Sequence, residues 1–264
     1  MTAYLAWTNY TKTGVLTDGS HATGMAAVEL QYDSGSPSAA WQTAFGVLTS
    51  AAGATFTCTF ATPASACRVF GIFRSNLTSS ASVTFALWSN TGGAHVVYTV
   101  TLSGPSTGFG QVVACAPSDQ VGDYWVVSIN NPGNPDGFIN VPLAFVGPAW
   151  PMVIGPDWAS TMGRDDLTDE MVSRGGQEYP TPRWNRRRWE IALDGVTGTE
   201  LYAQLVQVDR ISRAGGNVLF VPSSSSATLQ QEAIFGRLKA TADVSYPYQS
   251  GNARAWRGRL TERI

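Results

Sequence analysis

The feature that most constrains the fold is a succession of short strand-like runs between residues 5 and 145. Within Ser82–Trp88, for example, every second residue is a large apolar one, so one face of this strand is predicted to contact a core. Turn signals rich in Gly, Asn and Pro, such as residues 131–135, separate the runs. Short strands with this punctuation favour an antiparallel β-sandwich. The predicted strands are Ala54–Phe60, Cys67–Phe73, Ser82–Trp88, His95–Leu102, Gln111–Ala116 and Tyr124–Asn130.

The charge is divided unevenly along the 264 residues, which favours two domains. Residues 1–150 hold 3 basic and 6 acidic residues, whereas residues 151–264 hold 14 basic and 13 acidic ones. The segment 147–182 is rich in Pro, which removes backbone donors and disfavours a long regular element. We therefore predict a β-sandwich over residues 1–146, a Pro-rich linker or arm over 147–182, and a second module over 183–264. For the middle segment, an arm that docks on a partner and a flexible solvated loop are both open.

The second module combines strand patterns with one helix signal. Residues Thr197-Gly198-Thr199-Glu200 fit a capping box, apolar residues then recur at helical spacing, and Gly215-Gly216 is suited to end the helix. The apolar stripe is Leu201, Leu205, Val208 and Ile211, and the flanking strands are Arg188–Asp194, Asn217–Val221, Ala233–Val244 and Ala255–Ile264. The predicted fold class is mainly β, with two antiparallel β-sandwich domains, the C-terminal one with a single short packed helix.

The segment Arg183–Trp189 concentrates arginine and tryptophan. The whole chain has 15 Arg against 2 Lys and a net charge of −2, so it lacks a long-range field that attracts nucleic acid and favours fixed bidentate contacts. A strand would place Arg186 and Arg188 on one face and Arg187 on the other. We predict a protein interface here, with arginines bound to carboxylates of a neighbouring subunit and tryptophans as anchors, and no nucleic-acid specificity. The predicted interface residues are Trp184, Arg186, Arg187, Arg188 and Trp189.

The sequence contains no recognisable catalytic constellation. The two histidines, His21 and His95, lie in a turn and in a predicted strand, and no motif for a metalloprotease, a nucleophile elbow or a phosphate loop occurs. We predict a protein that is not an enzyme, with no catalytic residue, metal or cofactor. The acidic run Asp165–Glu170 lacks the spacing of a calcium loop and is interpreted as a salt-bridge partner for arginines or a solvated helix turn. A Ca²⁺ site in loops of the first domain stays open, with the candidate ligands Asp119, Asp123, Asn134 and Asp136.

Three cysteines, Cys58, Cys67 and Cys115, match no metal motif. They are interpreted as buried free thiols of a protein made in a reducing cytosol, with a Cys58–Cys67 disulfide as the alternative. The first residues lack the basic and apolar regions of a signal peptide, and no run of about 18 apolar residues occurs. We expect neither export by a signal peptide nor a membrane span.

The C-terminal module contains a Trp-bearing first strand with Trp189, a helix start Val196-Thr197-Gly198-Thr199-Glu200, and a final strand that ends near Glu262. In these features it resembles minor tail proteins of long-tailed bacteriophages, in particular distal tail proteins at the junction of tail tube and baseplate. The resemblance implies a ring-forming structural protein at the tail tip, near a hexamer, that contacts itself and the tail tube, tail hub and fibres. It adds Glu262 to the predicted interface. It also implies location in the virion tail, after assembly in the host bacterial cytoplasm.

The N-terminal part shows a second resemblance. Asp18-Gly19-Ser20, Gly35–Gln42 and the element Gly71–Leu77 are similar to the start of discoidin-type sandwich domains, whose free versions bind glycans. This implies an alternative function, a carbohydrate-binding module for a host receptor or an accessory glycan, in which an exposed Trp stacks on a sugar ring. The candidate glycan contacts are Trp41, Trp88 and Trp125, although alternation within strands favours a core position for such residues.

Overall fold

The computed structural model describes residues 2–105, 110–152, 159–172, 174–225, 228–241, 244–245 and 253–263. The chain divides into two compact units, unit 1 (Met1–Pro151 and Phe220–Ala233) and unit 2 (Met152–Leu219 and Ile234–Ile264). Unit 1 therefore takes in a segment from the part of the chain predicted as the C-terminal module. The fold is mainly β with antiparallel strands, which confirms the predicted fold class.

Seventeen strands and a few short helical segments make up the described chain. The strands are β1 (Ala3–Ala6), β2 (Val15–Asp18), β3 (Trp41–Gln42), β4 (Thr55–Thr59), β5 (Ser65–Phe73), β6 (Ser82–Ser89), β7 (His95–Ser103), β8 (Val112–Gly122), β9 (Tyr124–Asn130), β10 (Asn140–Val141), β11 (Leu143–Gly147), β12 (Trp150–Met152), β13 (Thr161–Val172), β14 (Glu178–Thr197), β15 (Val218–Val221), β16 (Ile234–Ala240) and β17 (Ala253–Glu262). The helices are α1 (Gly198–Glu200), a π-helical turn (Leu201–Leu205), α2 (Val206–Arg213) and α3 (Leu229–Glu232), with 3₁₀ turns at Tyr10–Lys12, Ala27–Gln31 and Ser50–Ala52.

Unit 1 contains a five-stranded sheet in the order β2-β4-β9-β6-β7 and a three-stranded sheet in the order β11-β5-β8. Their strands pair antiparallel, and the six strands predicted between residues 54 and 130 are all present. The alternation read from Ser82–Trp88 is also confirmed, because β6 alternates between half-buried and buried residues along its length.

Aromatic rings dominate the core of unit 1. Trp41, Phe56 and Trp125 are fully buried, and Phe56 meets the other two rings edge to face at centroid distances of 4.9 and 5.6 Å. Such contacts add to the free energy that burial of each large ring supplies. The core thus explains why this unit is stable with very few charged residues.

The returning segment Phe220–Ala233 is attached to unit 1 by side-chain amides. Gln230 accepts a hydrogen bond from the Val113 N–H at 2.7 Å and donates one to the Val113 carbonyl at 2.6 Å, as a neighbouring strand would. The buried Gln111 side chain donates to the Ala233 carbonyl at 2.9 Å. These bonds satisfy backbone groups of β8 and of the returning segment, so the segment is part of the unit's structure.

Unit 2 is built on a long hairpin of β13 and β14, followed across the sheet by β17 and β16. The prediction that no long regular element forms between residues 147 and 182 is wrong here, because Thr161–Val172 and Glu178–Thr197 pair as strands. Pro180 and Pro182 lie in the part of β14 that has β13 alone as a neighbour, where a missing N–H is tolerated. Whether this segment acts as an arm stays a prediction.

The predicted helix of unit 2 begins as the capping box requires. The Thr197 N–H donates to Glu200 Oε2 at 3.1 Å, and the Glu200 N–H donates to Thr197 Oγ1 at 3.2 Å. At the other end, the buried Ser212 hydroxyl accepts a hydrogen bond from the Leu238 N–H at 2.8 Å, which ties α2 to β16. The predicted helix is confirmed, from cap to last turn.

Candidate functional sites

The most exposed large apolar side chain of those described is Phe45, at 83%. It stands in the loop after β3, and its ring lies over Gly137, where a Cβ atom would overlap it. Gly137 has φ +72°, a conformation that suits glycine, so both its backbone and its lack of a side chain are used. We call Phe45, Asp136 and Gly137 the Phe45 loop site.

Hydrogen bonds between loops hold the Phe45 loop site in place. The Gly46 N–H donates to the Gly137 carbonyl at 2.8 Å, so the two loops are bonded beside the ring. Asn76 Nδ2 donates to Asp136 Oδ2 at 2.8 Å and to the Phe138 carbonyl at 2.9 Å. Asp136 Oδ1 accepts no hydrogen bond from the described residues, and its side chain is exposed. The site therefore combines an exposed aromatic ring, carried on hydrogen-bonded loops, with a carboxylate oxygen that accepts no hydrogen bond from the described residues.

The sequence did not indicate this site. Phe45 lies outside every strand-like run, and an isolated loop Phe gives no periodic signal. Of the tryptophans predicted to contact a glycan, Trp41 and Trp125 are fully buried, so neither ring face is open to a sugar. That prediction is corrected for both: they lie on inward positions of strands and form the core. Trp88 is half-buried and stacks on Tyr124, with centroids 5.9 Å apart and an interplanar angle of 9°.

Trp88 and Tyr124 belong to a row of residues that crosses the outer face of the five-stranded sheet. Register places one residue of each strand in this outer row: Val15, Thr59, Tyr124, Trp88 and Val96. With strands about 4.8 Å apart, the row is roughly 19 Å long. The valines at its two ends are 67% and 42% exposed. The next two rows carry only Thr, Ser, Ala and Val, namely Thr17, Thr57, Val126, Ala86, Thr99, Thr55, Ser128, Thr84 and Thr101.

The arginine segment of β14 follows the predicted alternation of a strand. Arg187 is 2% exposed and bound to Glu262, with Arg187 Nε 3.0 Å from Glu262 Oε2 and a second contact from Nη2 to Oε1. The Arg187 backbone N–H also donates to Glu262 Oε2 at 3.1 Å. These two residues of the predicted interface are thus paired within one chain. A desolvated bidentate pair of this kind holds β14 and β17 in register.

On the opposite face of β14, Asp165 gathers three arginines. Arg259 Nη2 lies 2.9 Å from Asp165 Oδ1, Arg186 Nε lies 3.4 Å from Oδ2, and Arg188 Nη1 also contacts Oδ1. Burial alone would raise the pKa of Asp165, but hydrogen bonds and positive charge from Arg188 and Arg259 outweigh it and lower that pKa. The interpretation of this acidic run as a partner for arginines is confirmed for Asp165, in a strand and not in a helix turn.

Contact of Trp184, Arg186, Arg188 and Trp189 with a neighbouring subunit stays a prediction. Trp189 is half-buried, and the side chain of Trp184 lies outside the described part of the chain.

Two of the four candidate Ca²⁺ ligands use their carboxylates in hydrogen bonds within the chain. Asp123 accepts backbone hydrogen bonds from Asn90 and Ala64, which lower its pKa, whereas Asp136 binds Asn76. Among the described residues, no group of three or more His, Cys, Asp or Glu side chains is arranged to hold a metal ion. His21 Nδ1 lies 2.7 Å from Asp18 Oδ1 in an exposed turn, as expected for a turn histidine.

The cysteines are free thiols in the structure, with Cys58 and Cys67 buried and Cys115 partly so. Burial raises the pKa of Cys58 and of Cys115 to about 12 and raises that of Cys67 as well. A thiol with such a pKa holds its proton at neutral pH and is a poor nucleophile or metal ligand. In the described part of the chain, no helix is long and apolar enough to cross a membrane.

No protein-family model matches the chain, and no curated protein matches it. A fucose-binding module of Streptococcus pneumoniae superposes with a TM-score of 0.41 at 10% identity, over 53% of this chain and 95% of that one. A family 32 carbohydrate-binding module of C. perfringens, solved with galactose, gives 0.40 at 11%, over 54% and 98%. A chitosan-binding module of Paenibacillus sp. IK-5 gives 0.41 at 16%, over 53% and 99%.

Proposed function

We propose that the protein is a carbohydrate-binding protein without catalytic activity of its own, and that the Phe45 loop site binds a neutral sugar. The observation that supports this most is the Phe45 ring, 83% exposed and held against Gly137 beside an exposed carboxylate. Leaving such a ring in water forgoes about 1.5–3 kcal/mol of burial free energy. A ligand that covers the ring would recover part of that free energy.

The chemistry of the site matches a pyranose. A sugar ring has a face of C–H groups and a rim of hydroxyls, so it suits an aromatic face with a hydrogen-bond acceptor at its edge. Asp136 directly precedes Gly137, and consecutive Cα atoms are about 3.8 Å apart, so ring and carboxylate share one small surface. Asp136 Oδ1 is the acceptor available to a hydroxyl group. Because the loops are already braced by Asn76 and by the Gly46 to Gly137 bond, binding orders few groups.

The site is shallow, and the expected affinity for a single sugar is low. At roughly −0.3 kcal/mol per non-hydrogen atom, a hexose of about 12 such atoms gains about −4 kcal/mol, which corresponds to a Kd of about 1 mM. Several sugars in one chain, or several copies of the protein, would raise the apparent affinity.

A titration of the full chain with a panel of neutral hexoses, galactose and fucose included, tests the proposal. We expect at least one to bind, and Phe45→Ala to weaken binding at least about tenfold, because the stacking surface is lost. Tyr202→Ala is the matched control, since Tyr202 is an aromatic residue of unit 2 that is 65% exposed. Equal affinities for the wild type, Phe45→Ala and Tyr202→Ala proteins would contradict the site, and no binding by the wild type would contradict the function.

A second candidate function is that of a structural component of a bacteriophage tail tip, located in the virion and assembled in the host cytoplasm. The observation that favours an assembly role is the outer row with the uncharged rows beside it, because depletion of charge around aromatic residues is typical of interface cores. Ring formation with about six copies, and contacts with the tail tube, hub and fibres, belong to this proposal. Light scattering over a range of concentrations tests self-association, with Val15→Lys as the disruptive variant. A monomer at every concentration contradicts self-association through this face.

A further inference from the structure

Unit 2 contains a pocket of about 550 Å³ that the proposed sugar-binding function does not use. One wall is α2, which contributes Asp209 and Arg213, and the other is the charged face of β14, β17 and β16. From that face Arg186, Arg259, Arg237 and Lys239 point to the pocket. The volume falls within the range of about 300–1,000 Å³ that is typical of small-molecule sites.

Cationic side chains outnumber carboxylates around this pocket. The single acidic lining residue, Asp209, is bound to Arg213 with Nε and Oδ2 2.7 Å apart. Asp165, behind the wall, is shared by Arg186 and Arg259 with Arg188. Glu190 Oε1 also lies 3.4 Å from Arg259 Nε and 4.0 Å from Arg188 Nε, so two carboxylates are shared by these three arginines.

Two of the cationic side chains around the pocket belong to β16. Arg237 and Lys239 are exposed and two residues apart, so they lie on one face of the strand. Within the described residues neither forms an ion pair with a carboxylate, and the side-chain bond of Arg237 is a 3.4 Å contact with the Ser212 carbonyl. Their charges are available to a ligand.

Strand register places Lys239 opposite a second cation. Lys239 pairs directly with Arg259 across β16 and β17, and like charges placed opposite each other destabilise a sheet. Arg237 pairs with Thr261, which also lines the pocket. An anion bound between these side chains would turn the repulsion into attraction.

We infer that this pocket binds a phosphate group with two or more negative charges, either free or as part of a small phosphorylated molecule. Guanidinium groups donate paired hydrogen bonds to phosphate oxygens, and the lysine ammonium adds a point charge. A dianion suits several converging cations better than a single carboxylate does. The site is in unit 2 and shares no residue with the Phe45 loop site.

Calorimetric titration of the full chain at low ionic strength with inorganic pyrophosphate tests the inference, with a small sugar phosphate as the second arm. Arg237→Gln and Lys239→Gln should each weaken pyrophosphate binding by several-fold, and the double variant by at least about tenfold. Arg210→Gln is the matched control, because Arg210 is an exposed arginine of the same helix wall that does not line the pocket. The two replaced side chains are exposed, so circular dichroism should show an unchanged fold.

Two results would overturn the inference. One is the absence of pyrophosphate and sugar-phosphate binding by the wild-type chain. The other is an equal affinity of the double variant and Arg210→Gln, which would place the anion elsewhere. If the first result were accompanied by tight binding of a single-stranded DNA oligonucleotide, the cations would be assigned to a nucleic acid and not to a small-molecule site. Binding of both small anions, with the sugar phosphate preferred, would identify the phosphorylated molecule as the source of the phosphate.

Discussion

The sheets of the two units are stabilised in different ways. The contrast lies between the outer face of the five-stranded sheet in unit 1 and the charged face of β14 and β17 in unit 2. Unit 1 keeps its outer rows uncharged and relies on an aromatic core around Phe56. Unit 2 places arginines and acids along its strands, with Arg187 and Glu262 desolvated on one side and Asp165 on the other. The uneven charge along the sequence therefore reflects two different modes of stabilisation.

The largest expected effect concerns the aromatic core. Phe56→Ala removes a ring that touches both buried tryptophans, so we expect a loss of about 3–5 kcal/mol in the free energy of unfolding. Amide hydrogen exchange should speed up in β4 and β9, while β14 and β17 keep their protection. Equal acceleration in both sets of strands would show that the two modes of stabilisation are not separate.

The buried ion pair of unit 2 comes next. Arg187→Met leaves the Glu262 carboxylate without its partner and should cost about 3 kcal/mol, seen as faster exchange in β14 and β17. Combining it with Glu262→Leu removes both charges and should restore most of the loss. If the double variant is no more stable than the single one, the pair contributes packing and not charge.

A smaller effect is expected at the helix start. Thr197→Ala removes the hydroxyl that caps the Glu200 N–H and should cost about 1 kcal/mol, measured by denaturant unfolding. Thr197→Ser keeps the hydroxyl and serves as the control. A loss of the same size in both variants would assign the effect to the methyl group of Thr197.

The smallest effect is a pH dependence at Asp165. The pKa of Asp165 in the folded protein is lowered below the usual value of about 3.9. The ionised carboxylate therefore stabilises the folded state above that value, and this contribution is lost as the pH falls through the folded-state pKa. The arginines around it are more than a third exposed, and the contribution should stay below about 1 kcal/mol. Asp165→Asn should flatten the stability profile below pH 4. An unchanged profile would assign the acid sensitivity to other carboxylates.

Local patterns in the sequence predicted much of the fold, and contacts between distant residues account for what they missed. The alternation in β6 and the capping box at Thr197 are short-range signals, and both appear as expected. The hairpin of β13 and β14 was missed because proline at an edge costs less than proline in a central strand.

The candidate sites depend on contacts between residues that are far apart in the sequence. Phe45 meets Gly137, and Lys239 meets Arg259, only through the tertiary fold. The members of each pair lie in different elements that are separated along the chain, so the periodicity within one element could not indicate the contact.

Mapping of backbone amide shifts by NMR tests the claim that the Phe45 loop site binds a sugar. With galactose or fucose added to the isotope-labelled chain at millimolar concentration, we predict shifts confined to residues 43–47 and 136–138. Shifts centred on Trp88 and Tyr124, or no shifts with any neutral hexose of the panel, would contradict the claim.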